Sequence, residues 1–377
     1  MSSPAIPQWL AKSQDASHMS LALRTLKLRE DSRTRAAYAS IPHKTASFRA
    51  ALHNISKSTS EFYSVTAGRD HLNQRRNRYV DVVPYDRTRV VVNDQGCCGS
   101  SSGGSYLNAD WVLERFGGKW WIASQAPLPN TSHTFLSLIS KSVSPPSRSS
   151  DSTRVRTIVQ LTQNVEEGRR KAHPYFPDKV GQRIVVPPED DSLGPPFEVT
   201  LLEREIIDDA CCVRSTVSFT PLSPPNSAPI TFKHLLYHAW PDCGIPTPED
   251  RAGLLAFARL VDKTNRLEAE PSDPDPPMIV GCSAGIGRTG SFIALCSLLR
   301  SHGILSPPAN ATPADSMLPP SPLGDLPDSL KDDKVVQEVD SLREQRPGMV
   351  QRPEQLLVIY EILTSAVASG SSGTKQW

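Results

Sequence analysis

Met278-Ile279-Val280-Gly281-Cys282-Ser283-Ala284-Gly285-Ile286-Gly287-Arg288-Thr289-Gly290-Ser291-Phe292 is the stretch on which the fold turns. A short apolar strand runs into a glycine-rich turn and then into an apolar helix. In such a turn successive backbone N–H groups converge on one point, and the helix N-terminus adds its partial positive charge. The product is an anion cradle with Cys282 at its floor and Arg288 at its rim. The field that holds a phosphate also stabilises a thiolate, which makes Cys282 a candidate nucleophile at neutral pH. Arg288 offers a planar fork to two phosphoryl oxygens, a geometry lysine cannot supply. The bare spacing of cysteine and arginine decides nothing: seven cysteines and 41 basic residues give an accidental expectation of up to about 0.8. The glycines, the strand and the helix carry the inference, because an ordinary buried cysteine needs none of them.

Composition narrows the class. The 377 residues hold 41 basic and 40 acidic side chains, and a net charge of +1 removes any global electrostatic case for nucleic acid or an acidic membrane. Any anion site must therefore be local. The longest apolar run, Phe292 to Leu299, is too short to span a bilayer, and residues 1–10 lack the pattern of a secretory leader. A soluble cytoplasmic protein with access to the nucleus is expected. Four of the seven cysteines form adjacent pairs, Cys97-Cys98 and Cys211-Cys212, a poor layout for a disulfide framework. His234 and His238 lie in a segment that reads as a strand, where a spacing of four separates them too far to share a metal. No metal or cofactor is expected. Asn-x-Ser/Thr triplets at Asn54, Asn130 and Asn310 read as chance without a secretory signal.

Proline usage, 34 of 377, is about twice the ordinary level. Most of these prolines cluster among Ser, Asp and Asn, where they read as polar loops. Between the clusters, Thr157 to Leu161, Phe197 to Ile206, Val213 to Phe219 and Ile230 to Tyr237 read as strands of a mostly antiparallel or mixed sheet. Thr247-Pro248-Glu249-Asp250 looks like a capped helix start ahead of Leu254, Leu255, Phe257, Ala258 and Val261. Arg352-Pro353-Glu354 opens a second helix through Leu363, and Ala11 to Ser64 reads as a helical flank.

The segment Cys282-Ser-Ala-Gly-Ile-Gly-Arg288-Thr289-Gly resembles the signature loop of the cysteine-dependent protein tyrosine phosphatases. Other segments resemble the tyrosine-specific, non-receptor single-domain branch. Asn77-Arg78-Tyr79-Val80-Asp81-Val82-Val83-Pro84-Tyr85-Asp86 looks like its substrate-recognition loop, and Tyr106-Leu107-Asn108-Ala109 and Ile122 to Pro129 like its core stretches. Trp240-Pro241-Asp242-Cys243-Gly244-Ile245-Pro246 looks like the mobile acid loop and Gln351-Arg352-Pro353-Glu354-Gln355 like the glutamine loop. The likeness runs in family order from Asn77 to about Ile362. It implies an α/β (α+β) fold, a central highly twisted mixed sheet flanked by helices. The expected organisation is a flexible segment 1–20, one catalytic domain 21–368 and a tail 369–377. The proline-rich stretches then become loop insertions at about 141–155, 187–196, 220–229, 271–277 and 305–330.

The resemblance also implies roles. Cys282 attacks phosphorus, while Arg288 and the loop residues Ser283, Ala284, Gly285, Ile286 and Gly287 hold the phosphoryl oxygens. Asp242 donates a proton to the leaving phenol, Gln351 orients the attacking water with help from Gln355, and Thr289 hydrogen-bonds the sulfur. Tyr79 stacks on the substrate ring, and Asp81 accepts from the substrate backbone. Glu166 pairs with Arg288, and Lys171 meets Asp242; on pattern alone the run Glu166 to Lys171 reads as a solvated hairpin. Phosphotyrosyl proteins, protein kinases among them, are the implied partners in signal transduction, with a monomeric enzyme.

The sequence departs from the family at Gly281, where a histidine ordinarily precedes the nucleophile, and reduced activity or a higher pH optimum is the expectation. Val80 stands where a basic residue is common, which puts a preference for acidic flanking residues in doubt. Leu136 and Arg352 depart at positions that ordinarily carry tryptophan and threonine. Two rival readings stay open: a phosphotyrosine-binding scaffold without catalysis, favoured only by Gly281, and a dual-specificity or lipid phosphatase. The uncharged loop interior disfavours inositol polyphosphates, and the Asn77-Arg78-Tyr79 loop favours a deep pocket. Ser-Pro pairs at Ser144, Ser223, Ser306 and Ser321 are candidate sites for proline-directed kinases.

Overall fold

The structure is a computed structural model that describes residues 6–41, 55–92, 105–146, 153–189, 194–241 and 244–370. Asp242, Cys97 and Cys98 lie outside the described residues, as do Cys243 and the glycosylation triplet's Asn54.

Nine strands form one mixed sheet. In chain order they are β1 (Arg89–Val92), β2 (Ser105–Leu113), β3 (Trp120–Gln125), β4 (Thr157–Gln160), β7 (Arg183–Val186), β8 (Phe197–Ile207), β9 (Cys212–Pro221), β10 (Ile230–Tyr237) and β11 (Met278–Cys282). Two short strands, β5 (Val165–Glu166) and β6 (Arg169–Arg170), make a separate hairpin. The order across the sheet is β1-β2-β3-β11-β4-β10-β9-β8-β7, with β3, β11, β4 and β10 parallel at the centre and antiparallel pairing outside them.

The central strands are apolar on both faces, as strands covered on both sides must be. Alternation sorts their side chains between two cores. Met278, Val280 and Cys282 of β11, Trp121 and Ala123 of β3 and Val159 of β4 enter one core. Ile279, Ile122 and Ile158 enter the other. The first core is closed by helices α3 (Arg251–Leu267), α4 (Gly287–Ser301), α5 (Lys334–Gln345) and α6 (Pro353–Gly370). The second is closed by α2 (Ser132–Ser140), whose Phe135 and Leu136 are both buried. Leu136 therefore fills the core in place of the larger aromatic ring.

A long helix, α1 (Ala16–Ala39), is capped by the Asp15 carboxylate and braces α5: Arg29 binds Asp340 at 2.9 Å and Arg33 binds Glu344 at 2.6 Å. Part of the expected N-terminal segment 1–20 lies among the described residues. Residues 8–11 and 16–20 are helical, and Leu10 and Met19 are buried in the first core. The helix after Pro248 begins at Arg251, because Thr247 to Asp250 close a turn of their own through Asp250 N–H to Thr247 O at 3.0 Å. The C-terminal helix continues to Gly370, past the expected start of the tail. No helix among the described residues is long and apolar enough to cross a membrane.

Candidate active site

β11 delivers Cys282 to the edge of the central sheet, and the chain turns through residues 283–286 into α4. The orientation of this turn follows from where its carbonyls are tied. Gly281 O accepts from Leu161 N at 2.8 Å, and Cys282 O and Ser283 O both accept from Ala126 N at 2.9 and 3.1 Å. Ala284 O and Gly285 O accept from the guanidinium of Arg346 at 3.1 and 2.7 Å. Ile286 O accepts from Gly290 N and Val350 N. Every carbonyl from residue 281 to 286 is thus bound by the scaffold. By contrast, among the described residues no protein acceptor takes the N–H groups of Ala284, Gly285, Ile286 or Gly287. Orphan amides at a helix N-terminus are an anion site, since buried donors without an acceptor are otherwise costly.

Glycine is required in two places here. Gly285 has φ +72°, and a Cβ there would stand 2.3 Å from Ser124 O. A Cβ on Gly290 would meet Val350 N at 2.5 Å.

Arg288, at the far end of the turn, is buried, and its fork is held by Glu166 through two bonds of 2.7 and 2.8 Å, with a third to Leu161 O at 3.0 Å. Glu166 is aimed by the β5–β6 hairpin, whose turn residues Glu167 and Gly168 both adopt positive φ, 48° and 73°. That is the mirror-image turn that matches the twist of paired strands. Burial pushes the Glu166 carboxyl upward, but the Arg288 fork and the bonds from Thr162 and Gln163 more than offset it and hold it below the usual carboxylate range. The run from Glu166 to Lys171 is therefore solvated only in part: Arg169 and Arg170 are exposed, whereas Glu166 is not.

The substrate-loop residues come to the same place. Tyr79 hydroxyl lies 2.8 Å from Ser283 Oγ, which donates to Lys171 O at 2.8 Å. Arg78 N donates to Gln125 Oε1 at 2.8 Å, and the Arg78 side chain donates to Ala126 O and Pro127 O, so Tyr79 is registered against the segment that anchors the turn. Asp81 is exposed and lines a groove of about 310 Å3 that runs past Ile286 to Gly348 and Gln351. Gln355 is buried, its Oε1 accepting from Arg352 N at 3.1 Å, and its amide nitrogen lies 2.9 Å from where a Cβ on Gly287 would be. Val350, directly before Gln351, is held at φ +54°, a conformation a β-branched residue adopts only under constraint. Thr289 Oγ1 is buried without a hydrogen-bond partner, so it does not bond the Cys282 sulfur in this structure. The chain on either side of Asp242 is described: Trp240 is buried and donates from its indole to Gly244 O at 3.2 Å.

Gly281 has a physical reason. It pairs with Ser124 across β11 and β3, and a Cβ there would stand 2.7 Å from Ser124 O. A cavity of about 20 Å3 opens beside Gly281 and Cys282, against Tyr175 and Gln160.

The sequence reading missed the residues behind the turn. Arg346 is fully buried, and besides the two loop carbonyls it binds Asp110 at 2.7 Å and Asn108 Oδ1 at 2.9 Å. Asn108 in turn donates to Asn77 Oδ1 at 2.9 Å and Val82 O at 2.7 Å, so one asparagine ties the segment from Asn77 to Val82 to the clamp on the turn after Cys282. The charged run Arg343-Glu344-Gln345-Arg346 after a helical segment was the only available signal, and it resembles a solvated helix end.

Residues 73–303 match the family model described as protein-tyrosine phosphatase. The chain is similar to tyrosine-protein phosphatase 2 of Schizosaccharomyces pombe, 31% identical over 81% of this chain and 36% of the relative. It is also similar to receptor-type tyrosine-protein phosphatase eta of Homo sapiens, 33% identical over 60% of this chain and 14% of the relative. A third relative is tyrosine-protein phosphatase Lar-like of Caenorhabditis elegans, 31% identical over 85% of this chain and 12% of the relative. The chain thus spans between 12% and 36% of the length of these relatives.

Proposed function

The chain belongs to the protein-tyrosine phosphatase family, and on that premise we propose that it hydrolyses phosphotyrosine in proteins through a cysteinyl-phosphate intermediate. The observation that carries the reading is the inverted turn after Cys282: six successive carbonyls are bound from outside and at least four amides are left for an anion.

In the first step the Cys282 thiolate forms a bond to phosphorus as the bond to the tyrosyl oxygen breaks, and Asp242 gives that oxygen a proton. The turn amides and Arg288, preorganised by Glu166, stabilise the charge on the transferring oxygens. In the second step water, oriented by Gln351 and Gln355, loses a proton to Asp242 and attacks phosphorus. The sulfur–phosphorus bond breaks, inorganic phosphate leaves, and the thiolate returns, with Thr289 offering a hydrogen bond to the departing sulfur. Tyr79, fixed by its contact with Ser283, would flank the substrate ring, Asp81 would accept from the substrate backbone, and Lys171 would meet Asp242. Residues 21–368 would act as one catalytic domain, a monomer working on phosphotyrosyl proteins, kinases among them, in the cytoplasm with access to the nucleus.

Comparing phosphotyrosyl and phosphoseryl peptides of one sequence tests the reading. Turnover of the first only, lost in Cys282→Ser, is expected. Binding without turnover would establish a scaffold instead, and turnover of both a dual-specificity enzyme. Asp242→Ala should retain phosphotyrosyl proteins from a lysate, and proteins that a phosphotyrosine competitor fails to elute would not be held at the site around Cys282.

A further inference from the structure

Four Ser-Pro pairs among the described residues remain without a role in the chemistry, and the structure separates one from the rest. Ser144, Ser223 and Ser306 are exposed, whereas Ser321, within the insertion that spans 305–330, is half-buried. Its Oγ donates to Glu344 Oε1 at 2.9 Å, accepts from Arg29 Nη2 at 3.4 Å and from Leu323 N at 3.1 Å, and lies 3.5 Å from the Tyr63 hydroxyl. Ser321-Pro322-Leu323-Gly324 is a turn closed by Gly324 N–H to Ser321 O at 3.0 Å. Arg29 of α1 grips that turn from outside, donating to Leu323 O at 3.3 Å and Gly324 O at 2.9 Å. The insertion is a strap whose ends are anchored in the core by Leu305 and Leu330, and at this turn it is pinned to α1 and α5. Beneath the turn lies a cavity of about 610 Å3, walled by Arg29, Arg87, Arg115, Ser321 and Glu344 among others, so the turn itself bridges a space and is held mainly by these polar contacts.

We propose that Ser321 is a phosphoacceptor and that its phosphorylation keeps the strap from docking. In a protein kinase the Ser321 oxygen takes the terminal phosphoryl group of ATP, its proton passes to the kinase's base or to solvent, and ADP leaves. The exposed prolines at 319, 320 and 322 present the serine once the strap lifts. The modification then traps the lifted state, because the proton that Glu344 accepts is gone and phosphate oxygens would face a carboxylate at hydrogen-bond distance. Arg29 is already committed to Asp340, Arg33 to Asp340 and Glu344, and Arg87 to the backbone oxygens of Phe62 and Glu344, so a phosphate here would have to compete for donors already in use.

The consequence reaches the site through α5. Glu344 also accepts from Tyr63 at 2.7 Å and Arg33 at 2.6 Å, and its backbone oxygen accepts from Arg87. Two residues on, Arg346 holds the turn after Cys282. The effect on turnover rests on the phosphatase reading; the effect on docking does not.

The test uses the full chain, a proline-directed kinase with ATP, and hydrogen exchange with site mapping. Phosphate is expected on Ser321, with exchange in residues 318–326 and 341–346 rising roughly five- to thirtyfold, the range produced by losing a small part of total stability. Ser321→Glu should reproduce the rise, Ser321→Ala should show much less of it, and Ser321→Glu with Glu344→Gln should restore protection, since the amide can donate to the introduced carboxylate. Equal exchange in Ser321→Glu and Ser321→Ala would overturn the proposal. So would an unlabelled Ser321 under conditions that label a peptide of residues 316–327. A docking change in a protein that never hydrolyses phosphotyrosine would sustain this proposal while removing the phosphatase reading.

Discussion

Arg346 Nε donates to Gly285 O at 2.7 Å in a position sealed from solvent, so a side chain from the end of α5 fixes the peptide whose N–H, on Ile286, no described protein acceptor takes. Arg346→Met would remove the donor from two turn carbonyls and leave the Asp110 carboxyl without its counter-charge. Breaking a buried pair on one side costs about 3–5 kcal/mol. Urea unfolding should show a loss of that order, and kcat should fall by roughly tenfold or more as the amides lose their alignment. Arg346→Lys should recover part of the stability and less of the rate, because an ammonium cannot reproduce the fork. An unchanged kcat in a folded Arg346→Met protein would separate this clamp from catalysis.

The same pair gives a pH dependence. Burial pushes the Asp110 carboxyl up to about 6 from an ordinary 3.8, with Arg346 opposing the rise without cancelling it. The folded state therefore binds this proton more tightly than the unfolded chain does. Asp110's contribution to stability is fully present below about pH 4 and is lost as pH rises through about 6. Asp110→Asn removes the titration, so the difference in unfolding free energy between wild type and variant should change between pH 4 and 6 and level off above. Parallel profiles across that window would contradict the assignment.

Glu166 carries the opposite sign. Its folded carboxyl titrates below the ordinary range, so its stabilising share is present above the unfolded value and is lost as pH falls through the folded one. Glu166→Gln keeps the shape and removes the charge opposite Arg288. Hydrogen bonds to charged groups contribute about 1.5–3 kcal/mol. A fall in kcat/KM of roughly ten- to hundredfold is expected, with phosphate inhibition weakened in step. Steady-state kinetics with inorganic phosphate as inhibitor checks both.

Gly281→His would not recover the family's ordinary arrangement. A Cβ at 281 stands 2.7 Å from the Ser124 carbonyl in the adjacent strand, and the neighbour is backbone that cannot step aside. Overpacking of this kind costs about 1–3 kcal/mol. The variant should be less stable by urea unfolding and no more active. A gain in kcat at unchanged stability would show that β3 yields at this point.

Much of this site was legible because the chemistry is local in sequence. The turn from Cys282 to Gly290 could be read from its glycines and from the strand and helix around it, and the structure places Tyr79, Glu166 and Gln355 against that turn. The four strand segments between proline clusters form within one or two residues of their expected limits, since alternation is dictated by the two cores. What the sequence hid is held by long-range contacts. Arg346 reads as the polar end of a helix, and only the approach of β2 from some 240 residues earlier turns it into a buried clamp with Asp110 and Asn108. Leu10 and Met19 look like apolar residues in a polar lead until the first core receives them. The reason for Gly281 lies in the carbonyl of a neighbouring strand, which no local pattern could announce.

The central claim is that Cys282 carries the phosphoryl group between two chemical steps. Rapid-quench mass mapping after mixing the protein with a phosphotyrosyl peptide tests it most directly. One phosphoryl group on Cys282 within the first turnover, longer-lived in Gln351→Ala and absent in Cys282→Ser, is the predicted result. Tyrosine released by the wild-type protein with no phosphoryl group on Cys282 at any time, and Gln351→Ala no different, would contradict the account.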